Sequence, residues 1–132
     1  SILARSAIPT VSPAPLLILQ PTTSPEFLRR FLCKNGFEIL SDTALCENAK
    51  LYSVITARYT GKKYNCGEEF YYCGKVDPQT ADGAKYIEKQ YSRLKKCADA
   101  LEDIPEKQEE YRRFAEISAA LKKKFTENRN GI

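Results

Sequence analysis

An α/β fold is predicted by three features of this 132-residue sequence. A short apolar run, Leu16 to Leu19, is followed within a few residues by the helix-start pattern Ser24-Pro25-Glu26. Two β-rich runs then stand a short polar connection apart. From Ala84 onward, apolar residues recur in steps of three and four, the period of amphipathic helices. Together these give strand, helix, strand, hairpin turn and strand, followed by two helices. The expectation is a parallel α/β sheet that closes with one antiparallel strand and carries a helical hairpin.

Taken in order, Leu16 to Leu19 lies between Pro15 and Pro21 and reads as a strand covered on both faces. The text before it, "SILARSAIPTVSPAP", reads as the last turns of an amphipathic helix and a Pro-rich connection. Ser24 suits an N-cap, Pro25 the first helical position, and Glu26 the positive end of the helix dipole. Phe27, Leu28, Phe31 and Leu32 are expected on one face, with Arg29, Arg30 and Lys34 elsewhere. Gly36 supplies a left-handed stop. The runs "FEILSDTALC" and "KLYSVITARY" are separated only by "ENA", which predicts an antiparallel hairpin because a parallel pair needs a long crossover.

Residues 61–83 read as a connector punctuated by Gly, Asn, Asp and Pro. Its aromatics, Tyr64, Phe70, Tyr71 and Tyr72, have two readings: packing beneath the sheet or stacking on a base. Ile87, Gln90 or Tyr91, Leu94, Cys97 or Ala98, Leu101 and Ile104 then form one stripe. Asp103 and Pro105 fit the start of a second helix, with the stripe Tyr111, Phe114, Ile117 or Ser118, Leu121 and Phe125. Folding the two helices back on each other, as an antiparallel coiled coil over 84–128, buries both stripes. The last residues, "ENRNGI", are expected to fray.

Composition narrows the function classes. With 42% hydrophobic and 29% charged residues, the sequence is that of a globular protein. No apolar run is long enough to cross a bilayer, so no membrane partner is expected. Five cysteines at unrelated spacings read as reduced thiols of a cytosolic protein. The absence of His removes the commonest general base and imidazole ligand, and no CxxC pair offers a four-thiolate zinc site. The absence of Met predicts that Ser1 is internal to a longer reading frame.

"LLILQP", "LRRFLCKNGFEI", "KLYSVITAR", the connector "FYYCGK" and the helical pair occur in that order. In order and spacing they resemble the bacterial, TrmK-like tRNA (adenine-22-N1)-methyltransferases, over roughly Ser1 to Phe125. That family joins a Rossmann-like class I methyltransferase domain to a C-terminal coiled coil. The resemblance implies that residues 1–60 correspond to the C-terminal half of the methyltransferase sheet. It implies S-adenosylmethionine as the cofactor of the intact protein, and methyl transfer to N1 of an adenine in tRNA. The strand and Gly-containing turn that cradle the cofactor would precede Ser1. The chain alone is therefore expected to bind no cofactor and to be inactive. No catalytic residue and no metal ligand is assigned.

Ligands of open α/β sheets lie beyond the carboxyl ends of the strands. Gln20 and Pro21 follow the first strand there and are candidates for a substrate-side wall. The alternative is that Gln20 only caps backbone groups and Pro21 only ends the strand. The net charge of +4 permits RNA binding without requiring it. Candidate phosphate contacts are Arg29, Arg30 and Lys34 on the first helix, Lys62 and Lys63 after the hairpin, and Lys122, Lys123 and Lys124 near the end. The competing reading of each run is a solvated face. Two other functions stay open: a non-catalytic protein-interaction module built on the helical hairpin, and a class I methyltransferase with another substrate. An unpaired sheet edge would allow a homodimer.

Overall fold

The computed structural model describes residues 15–130, with side chains described as far as Thr126. The expected helix and Pro-rich connection before Leu16 lie almost wholly outside those residues. The described residues form three strands: β1 (Leu16–Leu19), β2 (Phe37–Glu47) and β3 (Lys50–Tyr59). The helices are α1 (Pro25–Lys34), α2 (Glu68–Cys73), α3 (Ala81–Leu101) and α4 (Gln108–Asn130). A 3-10 turn, Pro105–Lys107, joins the last two.

The sheet order is β1-β3-β2, with β3 antiparallel to both neighbours. β1 and β2 point the same way, as a strand-helix-strand unit requires, but the second arm of the hairpin is inserted between them. No parallel ladder therefore forms among the described residues, which corrects the expected parallel sheet. The hairpin itself is as expected. Its turn places Asn48 (φ 52°) and Ala49 (φ 64°) in the left-handed region, the pattern of a two-residue turn matched to strand twist.

A β-bulge decides which residues of β2 face inward. Ile39 pairs with Ala57 and Ser41 with Thr56, so Leu40 is the extra residue. Simple alternation from Phe37 and Ile39 would send Asp42 and Ala44 outward. The bulge returns them to the inner face, beside Ile55 and Ser53 of β3.

One sheet face carries the core. Leu32 and Cys33 of α1 pack on Phe37, Ile39, Ile55, Ala57 and Tyr71. Ala44, Tyr72, Cys73 and Val76 join Tyr86, Ile87 and Leu94 of α3 and Ile117, Leu121 and Phe125 of α4. The two long helices lie side by side in opposite directions: the Tyr91 and Phe125 rings meet edge to face at 5.6 Å. The stripe of α3 passes through Ala98, which is buried, and not Cys97, which is exposed. Gln108 closes the junction by donating from Nε2 to the carbonyls of Glu102 and Ile104, both at 2.9 Å. Asp103, expected to start the next helix, is not its cap: Ile104 holds that position before the 3-10 turn. The helix α4 runs to Asn130, and the last two residues of the expected frayed end lie outside the described residues.

Three further expectations are corrected. Leu16 and Ile18 are 57% and 73% exposed, so β1 is uncovered on its outer face among the described residues. In α1 the buried face is Glu26, Arg29, Leu32 and Cys33, while Phe27 and Phe31 are exposed. Ser24 holds the N-cap position through a left-handed backbone (φ 45°), not a side-chain bond. The connector is part of the core: Tyr71, Tyr72 and Cys73 are buried, and Tyr64 and Phe70 pack partly against it. That is the packing reading of its aromatics.

Candidate substrate-side pocket and the charged core beneath it

β1 ends at Leu19, and the loop Gln20–Ser24 turns over its carboxyl end into α1. Pro21 and the Thr22–Pro25 turn form one wall of a pocket of about 180 Å³. Leu51, Tyr52 and Ser53 at the start of β3 form the next wall, and Tyr86, Lys89, Gln90 and Arg93 of α3 complete it. Of the two candidates for a substrate-side wall, Pro21 lines this pocket, while Gln20 is exposed and does not. The residues missed from sequence are those of α3, seventy residues downstream, whose approach depends on the tertiary fold.

The polar groups of this wall are already oriented. Arg93 grips Glu26 with two bonds, Nη2 to Oε1 at 2.9 Å and Nη1 to Oε2 at 3.3 Å, and donates to Gln90 Oε1 at 2.6 Å. Its guanidinium lies 5.6 Å from the centre of the Tyr72 ring. Burial alone would lower the Arg93 pKa, but Glu26 outweighs that and holds it above the usual value. Arg93 is therefore a fixed cation, and Ser53 and Tyr86, both hydroxyl-bearing, line the same pocket.

Those two hydroxyls belong to a buried charged network centred on Arg29, whose exposure is 0%. Arg29 donates to Asp42 Oδ1 from Nε at 3.3 Å and from Nη2 at 3.0 Å. It also reaches the Tyr71 carbonyl at 2.9 Å, Tyr86 Oη at 2.9 Å and Ser53 Oγ at 3.3 Å. The second oxygen of Asp42 accepts from the Lys75 backbone N–H at 2.8 Å. No buried side-chain polar atom among the described residues lacks a partner. Burial works against the Arg29 charge, but Tyr86 and Asp42 outweigh it and raise its pKa. Gly74, at φ 56°, passes so close that a Cβ there would collide with the Asp42 carboxylate and Arg29 Nε.

Arg29 is thus removed from the phosphate-contact candidates: it is enclosed, and its donors point into the protein. Arg30 pairs with Glu68 at 2.9 Å and lies over the Phe27 and Tyr71 rings. Lys34, Lys62 and Lys63 are exposed, and the backbone N–H groups of Thr60 and Gly61 bond to the Gly36 carbonyl, bringing the loop close to the end of α1. Lys122 and Lys123 are exposed on α4, Lys122 above the Tyr91 ring. Lys124 reaches Glu69 of α2 at 3.1 Å. The exposed lysines among these candidates thus lie at the end of α1 with the loop after β3, and on α4.

Among the described residues, no glycine-rich turn directly joins a strand to a helix, and β1 enters α1 through "QPTTS". No group of three or more potential metal-ligating side chains occurs among them either.

Comparison with known proteins gives the context. A family model described as tRNA (adenine(22)-N(1))-methyltransferase matches residues 2–127. No curated protein sequence matches. Among solved structures, the Streptococcus pneumoniae protein Sp1610, a candidate tRNA (m1A22) methyltransferase, is 26% identical with a TM-score of 0.61; the alignment covers 83% of this chain and 49% of that one. The same protein has been solved in complex with S-adenosyl-L-methionine (22% identity, TM-score 0.58, 83% and 47% covered). The B. subtilis M1A22 tRNA methyltransferase TrmK gives 17% identity and a TM-score of 0.68, over 86% of this chain and 53% of that one. The chain spans about half the length of the solved structures it matches. By its match over residues 2–127, the chain belongs to the tRNA (adenine(22)-N(1))-methyltransferase family.

Proposed function

We propose that the chain is the sheet-closing and helical half of an S-adenosylmethionine-dependent tRNA adenine-N1 methyltransferase. It supplies a substrate-side wall and part of the RNA-binding surface, and it acts in the cytoplasm. The observation that carries this reading is the pocket at the carboxyl end of β1, bounded by Pro21, Tyr86 and Arg93, in a chain of this family. Open α/β sheets place their ligands at that edge. A target adenine must leave its stack to present N1, so a part-polar slot with a fixed cation suits the flipped nucleotide and its phosphate. Arg93, held by Glu26, would position that group; the methyl donor would be bound by a half of the protein outside this sequence.

Two features support a larger assembly. Leu16, Ile18, Phe27 and Phe31 expose apolar surface on β1 and α1, where more sheet and helix would continue the core. The α3–α4 pair, by contrast, contributes none of the large exposed apolar residues among the described ones, which favours an RNA-gripping coiled coil over a protein-docking module. Lys34, Lys62 and Lys63 form one phosphate-contact group, and Lys122 and Lys123 the other.

Mobility-shift titration of the chain with tRNA over a salt series tests the proposal. Affinity should fall steeply with salt, by a slope of roughly 0.7 to 0.9 per phosphate neutralised. Lys122→Glu with Lys123→Glu should weaken binding and reduce the slope. Indifference to tRNA at low salt, or binding unaffected by salt, refutes the RNA role. Binding of S-adenosylmethionine to the chain alone in calorimetry would refute the assignment of the cofactor site to the other half.

A further inference from the structure

We infer that Cys33 and Cys66 are a paired modification site, closing to a reversible disulfide when the chain meets a low-molecular-weight disulfide. Their Sγ atoms lie 3.2 Å apart. Cys33 is buried in the last turn of α1, and Cys66 is exposed just before α2. The backbones are already joined nearby, since the Tyr64 N–H donates to the Cys33 carbonyl at 2.8 Å. Reaching a bonded separation of about 2.05 Å needs the two sulfurs to approach by about 1 Å. A cleft of about 160 Å³ is lined by both cysteines together with Glu38, Tyr64, Phe70 and Lys75.

The two thiols have different roles. Burial, reinforced by the bond from Cys66, pushes the Cys33 thiol up to about 12, so it is a poor first nucleophile. The exposed Cys66, as thiolate, attacks a sulfur of oxidised glutathione and releases one glutathione thiolate. Cys33 then loses its proton to water and displaces the second glutathione from the mixed disulfide. Two protein thiols are oxidised and one glutathione disulfide is reduced to two thiols. The bond would tie α1 to the connector across the β2–β3 hairpin and hold the Lys62–Lys63 loop against the end of α1.

The test is to incubate the 132-residue chain with oxidised glutathione at pH 8, quench with acid, and read intact mass and a non-reduced peptide map. The expected result is loss of two hydrogens, disappearance of two of the five thiols, and a Cys33–Cys66 peptide that dithiothreitol releases. A Cys46→Ser, Cys97→Ser variant, altered only at exposed thiols, should form the same bond; Cys66→Ser should not, and Cys33→Ser should stop at glutathione on Cys66. A bond between another pair overturns the inference. So does a wild-type chain that carries glutathione only on Cys46 and Cys97, or one that stops at the mixed disulfide.

Discussion

At the scale of single residues, Arg29 and Asp42 form the pair at the centre of a network that joins five elements, α1, β2, β3, α2 and α3. An enclosed ion pair is not in itself a large source of stability, because desolvation opposes the attraction. Removing one partner leaves a buried charge uncompensated. Arg29→Ala should therefore cost about 3–5 kcal/mol in urea unfolding, whereas Arg29→Met with Asp42→Leu should recover most of that loss. If Arg29→Ala unfolds at the wild-type midpoint, the network is not as described. The burial of Arg29 was hidden in the sequence because the helix face was drawn through Phe27 and Phe31. Its partners come from β2, β3, α2 and α3, at separations of 13 to 57 residues. A second prediction concerns Cys73, whose thiol burial pushes from the usual 9 up to about 11. A folded-state pKa above the unfolded value stabilises fully below about pH 9, and that contribution is lost as pH rises through 11. Burial raises the Tyr71 and Tyr72 phenols in the same sense. Stability should fall above pH 9, and Cys73→Ala should flatten the part of the fall between 9 and 11 in a series of melting curves.

At the scale of elements, the bulge at Leu40 is what lets Asp42 meet Arg29. It also makes a counter-intuitive prediction. Deleting Leu40 converts the ladder to regular pairing, with Ile39 opposite Ala57, Ser41 opposite Thr56 and Asp42 opposite Ile55, every side chain keeping its face. The deletion should fold, with a cooperative melt and native circular dichroism. Deleting Thr43 instead must turn either Asp42 or Ala44 to the outer face, and should abolish folding. Equal tolerance of the two deletions would show that the register is wrong. The hairpin was legible because a two- or three-residue connection admits only an antiparallel pair. The helical stripes were legible because their period is local. The bulge was not, since alternation in "FEILSDTALC" fits two registers equally well until β3 is laid beside it. The pocket was half legible: Pro21 follows from a general rule about sheet edges, but Arg93 and Tyr86 require the packing of α3 on β3.

At the scale of the whole molecule, the sheet is asymmetric. Its inner face carries α1, α2 and α3, whereas its outer face shows Leu16 and Ile18, and β1 pairs on one side only among the described residues. A strand with one unpaired edge and two large apolar side chains in water is a template for another strand. Within a longer methyltransferase the next strand of the same sheet would take that place. In the isolated chain, a second copy is the available partner, and the exposed Phe27 and Phe31 add apolar area close by. Self-association should therefore rise with concentration and be visible as a shift in sedimentation velocity. Ile18→Lys puts a charge on the outer face without touching the inner core, where Leu17 and Leu19 pack. It should shift the distribution toward monomer while leaving the unfolding free energy of the monomer within about 0.5 kcal/mol of wild type, as expected of a surface substitution. A chain that stays monomeric at high concentration, or one whose association is indifferent to a lysine at position 18, would mean that β1 is already covered within its own molecule.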